Sequence, residues 1–546
     1  MALFHRRILC LAACALFAVT ASAHDEPGPI VDAPAGQLQG RSEGGLNIFE
    51  GIPYALPPVG NARWTPPMPM PRWQDVKRAD RFGPACYQPV ATLANIYADR
   101  PASMSEDCLS LNIWTPTNAH GAPVLVWIYG GAFLTGWSGQ AIYDGANLAA
   151  RGVVVVSINY RLGVLGWLAY PELSAESPLK ISGNYGLLDQ IEALRWIKRN
   201  ISAFGGDPSN VTIAGESAGG LSVVYLMTSP AARGLFAKAI AQSAYTISTP
   251  ELRQQKFGLP SAESLGSQFA AKVHAKNIAE LRAMDPSTLV VDGSSYAPFP
   301  TVDGSIVPRQ PVETFDRGEQ APVPVLAGFN SGEIRSLPIL APPTPVWESD
   351  YEKTIRERYL DLSDAFLNLY PADRMHESIL ATTRDALYGW TAERLVRKQT
   401  ALGLPSFLYA FDHGYPASDS VGLHAFHGSE LPFVFGTLNR TPTYWPRPTT
   451  SHDETNLSDA MIDYWTSFAR TGQPDSKGGA AWPTYGANAA YMDFADTSRP
   501  SEHLLSGMYE LHEEVVCRRR FNGQIPWNWN VGLASPPIPD KDPRCR

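Results

Sequence analysis

The chain has 546 residues, of which 44% are hydrophobic and 18% are charged, so it can bury a large core and is not expected to be disordered. Its formal net charge is -9, and it has no basic run or stripe, which argues against nucleic acid as a partner.

The N-terminus has the pattern of an export signal. Two arginines precede an apolar run at residues 8–19, and residues 21–23 (Ala-Ser-Ala) form a typical cleavage site. We therefore expect residues 1–23 to be removed and the mature protein to be periplasmic or secreted. An uncleaved anchor is the alternative, but the run is short for a membrane span, so we expect no stable membrane insertion of the mature chain. Residues 11–14 also resemble a lipoprotein box, but they lie inside the apolar run rather than at its end.

The rest of the chain alternates strand and helix patterns, after a start before about residue 90 that suggests antiparallel strands. Apolar residues at helical spacing predict helices at residues 187–204 and 454–470, the second ended by Gly472. Alternation of this kind predicts an α/β fold with a mostly parallel sheet and helices on both faces, and we expect one domain over residues 24–546. The predicted strands are apolar runs at residues 124–129, 153–159, 211–214, 237–242, 323–327 and 407–411.

Four cysteines remain after signal removal: Cys86, Cys108, Cys517 and Cys545. An even number in an exported protein suggests disulfides, and four cysteines allow three pairings. Local pairing, Cys86 with Cys108 and Cys517 with Cys545, is the arrangement we favour. A zinc site is the rival interpretation, although the chain has no C-x-x-C pair, and we expect no metal.

The stretch Gly215-Glu216-Ser217-Ala218-Gly219 places one serine between a predicted strand and a predicted helix. G-x-S-x-G in that context is typical of the nucleophile elbow of α/β-hydrolases, where a sharp turn exposes the serine at the end of a helix. The alternative is a Gly/Ser-rich turn that only permits close packing. The strand–turn–helix context favours Ser217 as a nucleophile.

A second small-residue segment, Gly130-Gly131-Ala132, directly follows the strand predicted at residues 124–129. Small residues there allow backbone N–H groups to converge on one point. With the N–H of Ala218, those of Gly131 and Ala132 would form an oxyanion hole. An ordinary Gly-rich turn after a strand is the alternative.

In these motifs the chain resembles the type-B carboxylesterases, a family that includes cholinesterases and bacterial para-nitrobenzyl esterases. The resemblance covers nearly all of the mature chain and implies an α/β-hydrolase fold with a large, mostly parallel central sheet, helices on both faces and insertions that form a gorge. The matching segments are residues 49–58, 105–112, 127–133, 159–161, 183–190, 204–208, 215–220, 302–304 and 427–428.

The resemblance implies a catalytic triad of Ser217, Glu333 and His427, in the chain order that is expected for this fold. His427 would be the base, and Glu333 would orient its imidazole ring. His424 is the rival base, but it does not directly precede the glycine of the His-Gly motif. The implied activity is hydrolysis of small-molecule carboxylic esters without a metal or organic cofactor.

The family pattern further implies that a Cys86–Cys108 bond closes a loop over the gorge. It also implies two structural ion pairs, Arg63 with Glu106 and Arg161 with Asp189, and an acidic residue beside the nucleophile, Glu216, that would tune the gorge.

Some positions depart from the family. Ala98, with Tyr97 adjacent, occupies the position of the tryptophan that cholinesterases use to bind choline, so a quaternary-ammonium cage is not expected. Ala132 and Ala244 replace glycines of the family pattern. Phe133, Trp137 and Tyr97 would either line the pocket or pack in the core.

A second hypothesis is a non-catalytic binding module, because the family includes adhesion proteins. Such members typically lack a triad residue, whereas this chain has all three. Hydrolysis of amides or carbamates would use the same residues and stays open from the sequence.

Overall fold

A computed structural model describes residues 28–90, 95–292 and 299–545. The predicted export signal lies outside the described residues. The strands are β1 Ile30–Ala33, β2 Gly36–Gln39, β3 Arg41–Glu43, β4 Leu46–Pro53, β5 Lys77–Arg78, β6 Ala85–Cys86, β7 Met104–Ser105, β8 Ser110–Pro116, β9 Ala122–Ile128, β10 Val154–Ile158, β11 Gly206–Glu216, β12 Lys238–Gln242, β13 Val325–Asn330, β14 Ser406–Phe411, β15 Ala490–Phe494 and β16 Arg499–Glu502.

Helices fill the connections between these strands. They are α1 Ala146–Ala149, α2 Gly163–Trp167, α3 Pro171–Glu176, α4 Tyr185–Asn200, α5 Ala218–Thr228, α6 Ala262–Lys272, α7 Ile278–Ala283, α8 Pro286–Asp292, α9 Pro311–Asp316, α10 Glu348–Tyr359, α11 Ser363–Leu369, α12 Met375–Arg384, α13 Trp390–Ala401, α14 Pro416–Asp419, α15 Leu431–Phe435, α16 His452–Thr471 and α17 Met508–Asn522. A π-helical turn, Asp385–Gly389, joins α12 to α13.

The main sheet has the strand order β16-β15-β14-β13-β12-β11-β9-β10-β8-β4-β3. Its central part, from β10 through β15, is parallel, and antiparallel pairs occur at both ends. This is the α/β-hydrolase architecture predicted from the sequence. Parallel strands expose their carboxyl ends at one edge, so the segments that follow β9, β11, β12, β13 and β14 meet there.

The apolar runs form strands because both faces of the sheet are covered. Every residue of β10, β12, β13 and β14 is buried. In α4, Leu187, Ile191, Leu194 and Ile197 have no exposed surface, which confirms the helix predicted from their spacing. Each such side chain contributes roughly 1.5–3 kcal/mol by leaving water. Helix α16 ends at Gly472 in a left-handed conformation (φ 81°), as predicted.

Two disulfides join Cys86 to Cys108 and Cys517 to Cys545, which are the local pairs favoured from the sequence. The first closes the loop between β6 and β8, and the second joins α17 to the C-terminal segment. No helix in the described part of the chain is both long and apolar enough to cross a membrane.

Candidate active site

Ser217 lies in the turn between β11 and α5, in a backbone conformation that side-chain-bearing residues rarely adopt (φ 57°, ψ -121°). Its N–H donates to the carbonyl oxygen of Gln242 across 3.0 Å, which holds the turn against β12. No side chain fits at the two flanking glycines. A Cβ on Gly219 would lie 2.0 Å from the carbonyl oxygen of Ile128, and one on Gly215 would lie 2.5 Å from the backbone of Gly219. Strain at a single serine, held by such packing, is typical of a functional site.

His427 lies against this serine. Its Nε2 is 2.8 Å from the hydroxyl oxygen of Ser217, and its Nδ1 contacts a carboxylate oxygen of Glu333. An ionised carboxylate only accepts hydrogen bonds, so Nδ1 carries a proton and the neutral ring leaves Nε2 free to accept from the serine. The three side chains thus form a continuous chain of hydrogen bonds from the hydroxyl to a buried carboxylate.

Glu333 follows β13, and its second carboxylate oxygen accepts from the N–H of Asn330 across 2.9 Å. The segment carrying it is joined to the one carrying His427, because the N–H of Gly332 donates to the carbonyl oxygen of Ala425 across 2.8 Å. Both segments emerge from the carboxyl ends of neighbouring parallel strands, β13 and β14. The sheet therefore brings together residues that are 94 positions apart.

Buried carboxyl groups dominate the electrostatics. Burial by itself lowers the pKa of His427, but the charges of Glu216 and Glu333 outweigh it and raise that pKa to about 9. Glu216 has a carboxyl oxygen 3.1 Å from Nε2, on the side of the ring that faces Ser217. Burial raises the pKa of Glu216 to about 8.

The segment after β9 lies against the turn that carries Ser217. Gly131 and Ala132 have positive φ angles of 99° and 56°. The space beside Gly130 is closed by Glu216 and Ser217, since a Cβ on that glycine would lie 2.9 Å from two oxygens of Glu216 and 3.1 Å from the Cβ of Ser217. Ala218 is the first residue of α5. Among the described residues, none of the N–H groups of Gly131, Ala132 and Ala218 has an acceptor. They can therefore hold an oxyanion next to the serine.

His424, the rival base, lies elsewhere. Its two ring nitrogens contact Asp419 and Asp412 at 2.9 and 3.1 Å, and its side chain is 40% exposed. These contacts stabilise the exposed segment that leads to His427. His424 therefore does not contact Ser217.

The sequence as a whole matches the Carboxylesterase family model over residues 27–511. The chain belongs to the carboxylesterase family. It is 35% identical over 499 residues to the fumonisin B1 esterase of Sphingopyxis macrogoltabida, covering 88% of this chain and 89% of that one. It is also 35% identical over 465 residues to the para-nitrobenzyl esterase of Bacillus subtilis (strain 168), covering 84% of this chain and 92% of the other.

Solved structures agree with the family assignment. A structure of PNB esterase superposes with a TM-score of 0.75 at 31% identity, covering 88% of this chain and 99% of that chain. A thermophilic PNB esterase gives the same TM-score and identity. The chain is therefore a carboxylic ester hydrolase with the α/β-hydrolase fold.

The family's two ion pairs are present as well. Arg63 binds both carboxylate oxygens of Glu106 at 2.6 and 2.7 Å, and Arg161 binds both of Asp189 at 2.8 and 2.7 Å. All four groups are buried or nearly so. The pairs fix loops around the Cys86–Cys108 bond and make no contact with Ser217.

Of the three aromatic residues considered from the sequence, only Tyr97 contacts the triad. Its ring meets that of His427 edge-on at 6.4 Å, and its hydroxyl donates to the carbonyl oxygen of His427 across 2.9 Å. Phe133 is fully buried against Trp167, and Trp137 packs on Phe82.

Sequence reasoning missed a buried network behind the histidine. Glu430 accepts from the side-chain amides of Asn330 and Gln242 at 2.6 and 2.9 Å, and Gln242 in turn accepts from the indole of Trp465 at 2.9 Å. The only signal was the nearness of Glu430 to His427 in the sequence. Within the described ranges, no cluster of three or more His, Cys, Asp and Glu side chains is arranged to hold a metal ion.

Proposed function

We propose that this carboxylesterase works through Ser217, His427 and Glu333 and an acyl-enzyme intermediate. The observation that carries the proposal is the 2.8 Å contact between Nε2 of His427 and the hydroxyl of Ser217, on a ring that Glu333 orients from behind. The same contact argues against a non-catalytic binding module, which has no need of such a relay.

In the first half-reaction the oxygen of Ser217 attacks the ester carbonyl carbon while its proton passes to Nε2 of His427. The N–H groups of Gly131, Ala132 and Ala218 bind the resulting oxyanion. When the tetrahedral intermediate collapses, the bond to the alcohol oxygen breaks and the leaving alcohol takes the proton from His427.

In the second half-reaction a water molecule gives a proton to His427 and attacks the acyl-enzyme. Collapse of the second tetrahedral intermediate releases the carboxylic acid and returns the proton to Ser217. Glu333 stabilises the imidazolium form in both halves.

Hydrolysis of a para-nitrophenyl ester series from acetate to palmitate tests this proposal. Ser217→Ala should abolish turnover above background, while Ser243→Ala serves as the control, because Ser243 is a neighbouring buried serine whose hydroxyl has no partner among the described residues. Equal rates in wild type and Ser217→Ala would contradict the proposal. The chain-length optimum measures the depth of the acyl pocket.

We further propose export, with residues 1–23 removed, residues 24–546 forming one domain, and the mature protein periplasmic or secreted. Two disulfides support it, because such bonds persist in oxidising compartments. N-terminal sequencing of protein recovered from the periplasm and the medium should give His24 as the first residue. Recovery of the intact Met1 end on cytosolic protein would contradict it.

A further inference from the structure

A row of aromatic rings begins at His427 and leads away from it. Tyr388 lies against the imidazole, with ring centroids 5.3 Å apart, and Tyr245 meets Tyr388 edge-on at 5.9 Å. Trp529 and Phe299 continue the row at successive centroid distances of 6.4 and 5.8 Å. We call Tyr388, Tyr245, Trp529 and Phe299 the aromatic wall.

The far end of the aromatic wall returns to the oxyanion segment. Phe299 meets Phe133 at 6.3 Å, and Phe133 directly follows Ala132. The wall therefore links the histidine on one side of Ser217 to the oxyanion-binding segment on the other, which places it beside a bound ester.

Two members of the wall carry hydroxyl groups that nothing in the described structure uses. The side chains of Tyr245 and Tyr388 are only 5% and 3% exposed, yet neither hydroxyl has a hydrogen-bond partner among the described residues. The hydroxyl oxygens of both tyrosines nevertheless keep some solvent-accessible surface. A buried donor without a partner is costly, and most buried tyrosines here avoid that cost, as Tyr54 and Tyr225 do.

Both tyrosines lie close to the proposed catalytic elements. Tyr245 follows Ala244, which packs closely on α5, because a Cβ added to Gly220 would lie 3.1 Å from the Cβ of Ala244. Tyr388 lies in the π-helical turn Asp385–Gly389, and π-helical turns are frequent at functional sites.

The charges nearby determine what these hydroxyls can bind. Burial raises the pKa of both phenols, so they stay protonated and act as neutral donors. Buried carboxyl groups of Glu216, Glu333 and Glu430 surround the site. A further anion would meet like charge there, whereas a neutral oxygen acceptor would not.

We propose that the hydroxyls of Tyr245 and Tyr388 form a substrate subsite that donates hydrogen bonds to a neutral oxygen next to the ester group. The preferred substrates are then esters with a flat or ring-bearing portion that carries an ether, hydroxyl or carbonyl oxygen, in place of plain alkyl esters. This inference rests on the proposed catalytic function of Ser217.

Isosteric substrate pairs test the proposal. The pairs are para-nitrophenyl methoxyacetate against butyrate, para-nitrophenyl 4-methoxybenzoate against 4-ethylbenzoate, and 2-methoxyethyl acetate against butyl acetate. The measured quantity is the ratio of kcat/KM for the oxygen-bearing ester to that for its alkyl partner. Intrinsic reactivity cancels when this ratio is compared between wild type and variants.

Tyr245→Phe and Tyr388→Phe should each lower that ratio for at least one pair, by roughly three- to tenfold per hydroxyl removed. The double variant should lower it further. Tyr351→Phe is the matched control, since it removes a buried hydroxyl that bonds to Tyr370 in another part of the fold, and its ratios should equal those of wild type.

Unchanged ratios in the double variant for all three pairs would overturn the subsite. If kcat/KM falls equally for both members of every pair, the ratios are likewise unchanged, and the result would show that the tyrosines only support His427. A para-nitrophenyl butyrate activity that is present in wild type but lost in Ser217→Ala would show that the catalytic proposal stands whatever the ratios are. If Ser217→Ala keeps that activity, the catalytic proposal is refuted instead.

Discussion

The hydroxyl of Tyr97 lies 2.9 Å from the carbonyl oxygen of His427 and 2.7 Å from the hydroxyl of Ser336. Ser336 belongs to the short turn that begins at Glu333. One side chain in the loop closed by Cys86 and Cys108 therefore holds together the segment that carries His427 and the segment that carries Glu333.

Tyr97→Phe keeps the ring that packs on His427 and Trp445 but removes both hydrogen bonds. We expect kcat to fall roughly three- to tenfold with KM within twofold, because the histidine is held less well while the substrate still binds. Steady-state kinetics with para-nitrophenyl butyrate measures this split. A change in KM alone would show that Tyr97 only lines the pocket.

Glu216 should set the acid limb of the pH–rate profile. His427 must be neutral to accept the serine proton, so kcat/KM rises as pH passes upward through its pKa, and the nearby carboxylate holds that pKa high. Glu216→Gln removes this charge and should shift the acid limb to lower pH. Glu454→Gln is the control, because Glu454 is a buried glutamate that pairs with His413 instead. If the acid limb of the pH–rate profile does not move in Glu216→Gln, Glu216 does not set the pKa of His427.

The two neighbouring histidines should differ sharply. His427→Gln removes the group that contacts Ser217 and should lower kcat by about 10⁴-fold or more. His424→Gln breaks only partly exposed contacts with Asp412 and Asp419 and should change kcat less than fivefold. Comparable losses in both variants would contradict the assignment of the base.

Asp316 should make stability depend on pH at the acid end. It forms ion pairs with Arg394, Lys398 and Arg520. Burial by itself raises the pKa of Asp316, but these cations outweigh it and lower that pKa to about 2. Because the folded-state pKa lies below the ordinary value of 3.8, the contribution is present above about pH 4 and is lost as pH falls towards 2.

Asp316→Asn should therefore lower the free energy of unfolding by about 2 kcal/mol at pH 7 and by less near pH 2, measured by denaturant titration. Asp364→Asn is the matched control, since Asp364 pairs with Arg356 at the surface and is 83% exposed, so its loss should cost less than about 1 kcal/mol. Equal effects of the two variants at pH 7 would contradict the argument.

The sequence predicted those parts of the molecule whose signal is local. Buried parallel strands appear as continuous apolar runs, and each predicted run lies in or overlaps a strand of the main sheet. The elbow at Ser217 was visible because its geometry demands small residues at fixed spacing. The triad partners came from family resemblance, since nothing local connects Glu333 with His427.

The parts that the sequence did not predict depend on contacts between distant residues. Tyr97 and His427 are 330 positions apart, and Gln242 and Glu430 are 188 apart. The π-helical turn that places Tyr388 on His427 leaves no clear pattern in residues 385–389, because the turn depends on tertiary packing rather than on local propensity. The helices between residues 262 and 401 were likewise not predicted individually.

Covalent labelling of Ser217 tests the central claim most directly. Paraoxon transfers its diethylphosphoryl group to an activated serine and releases para-nitrophenol, and peptide mass spectrometry locates the adduct. The account predicts one adduct, on Ser217, formed in step with loss of esterase activity, absent in Ser217→Ala and much slower in His427→Gln. An adduct on another residue, or full activity after complete labelling of Ser217, would contradict it.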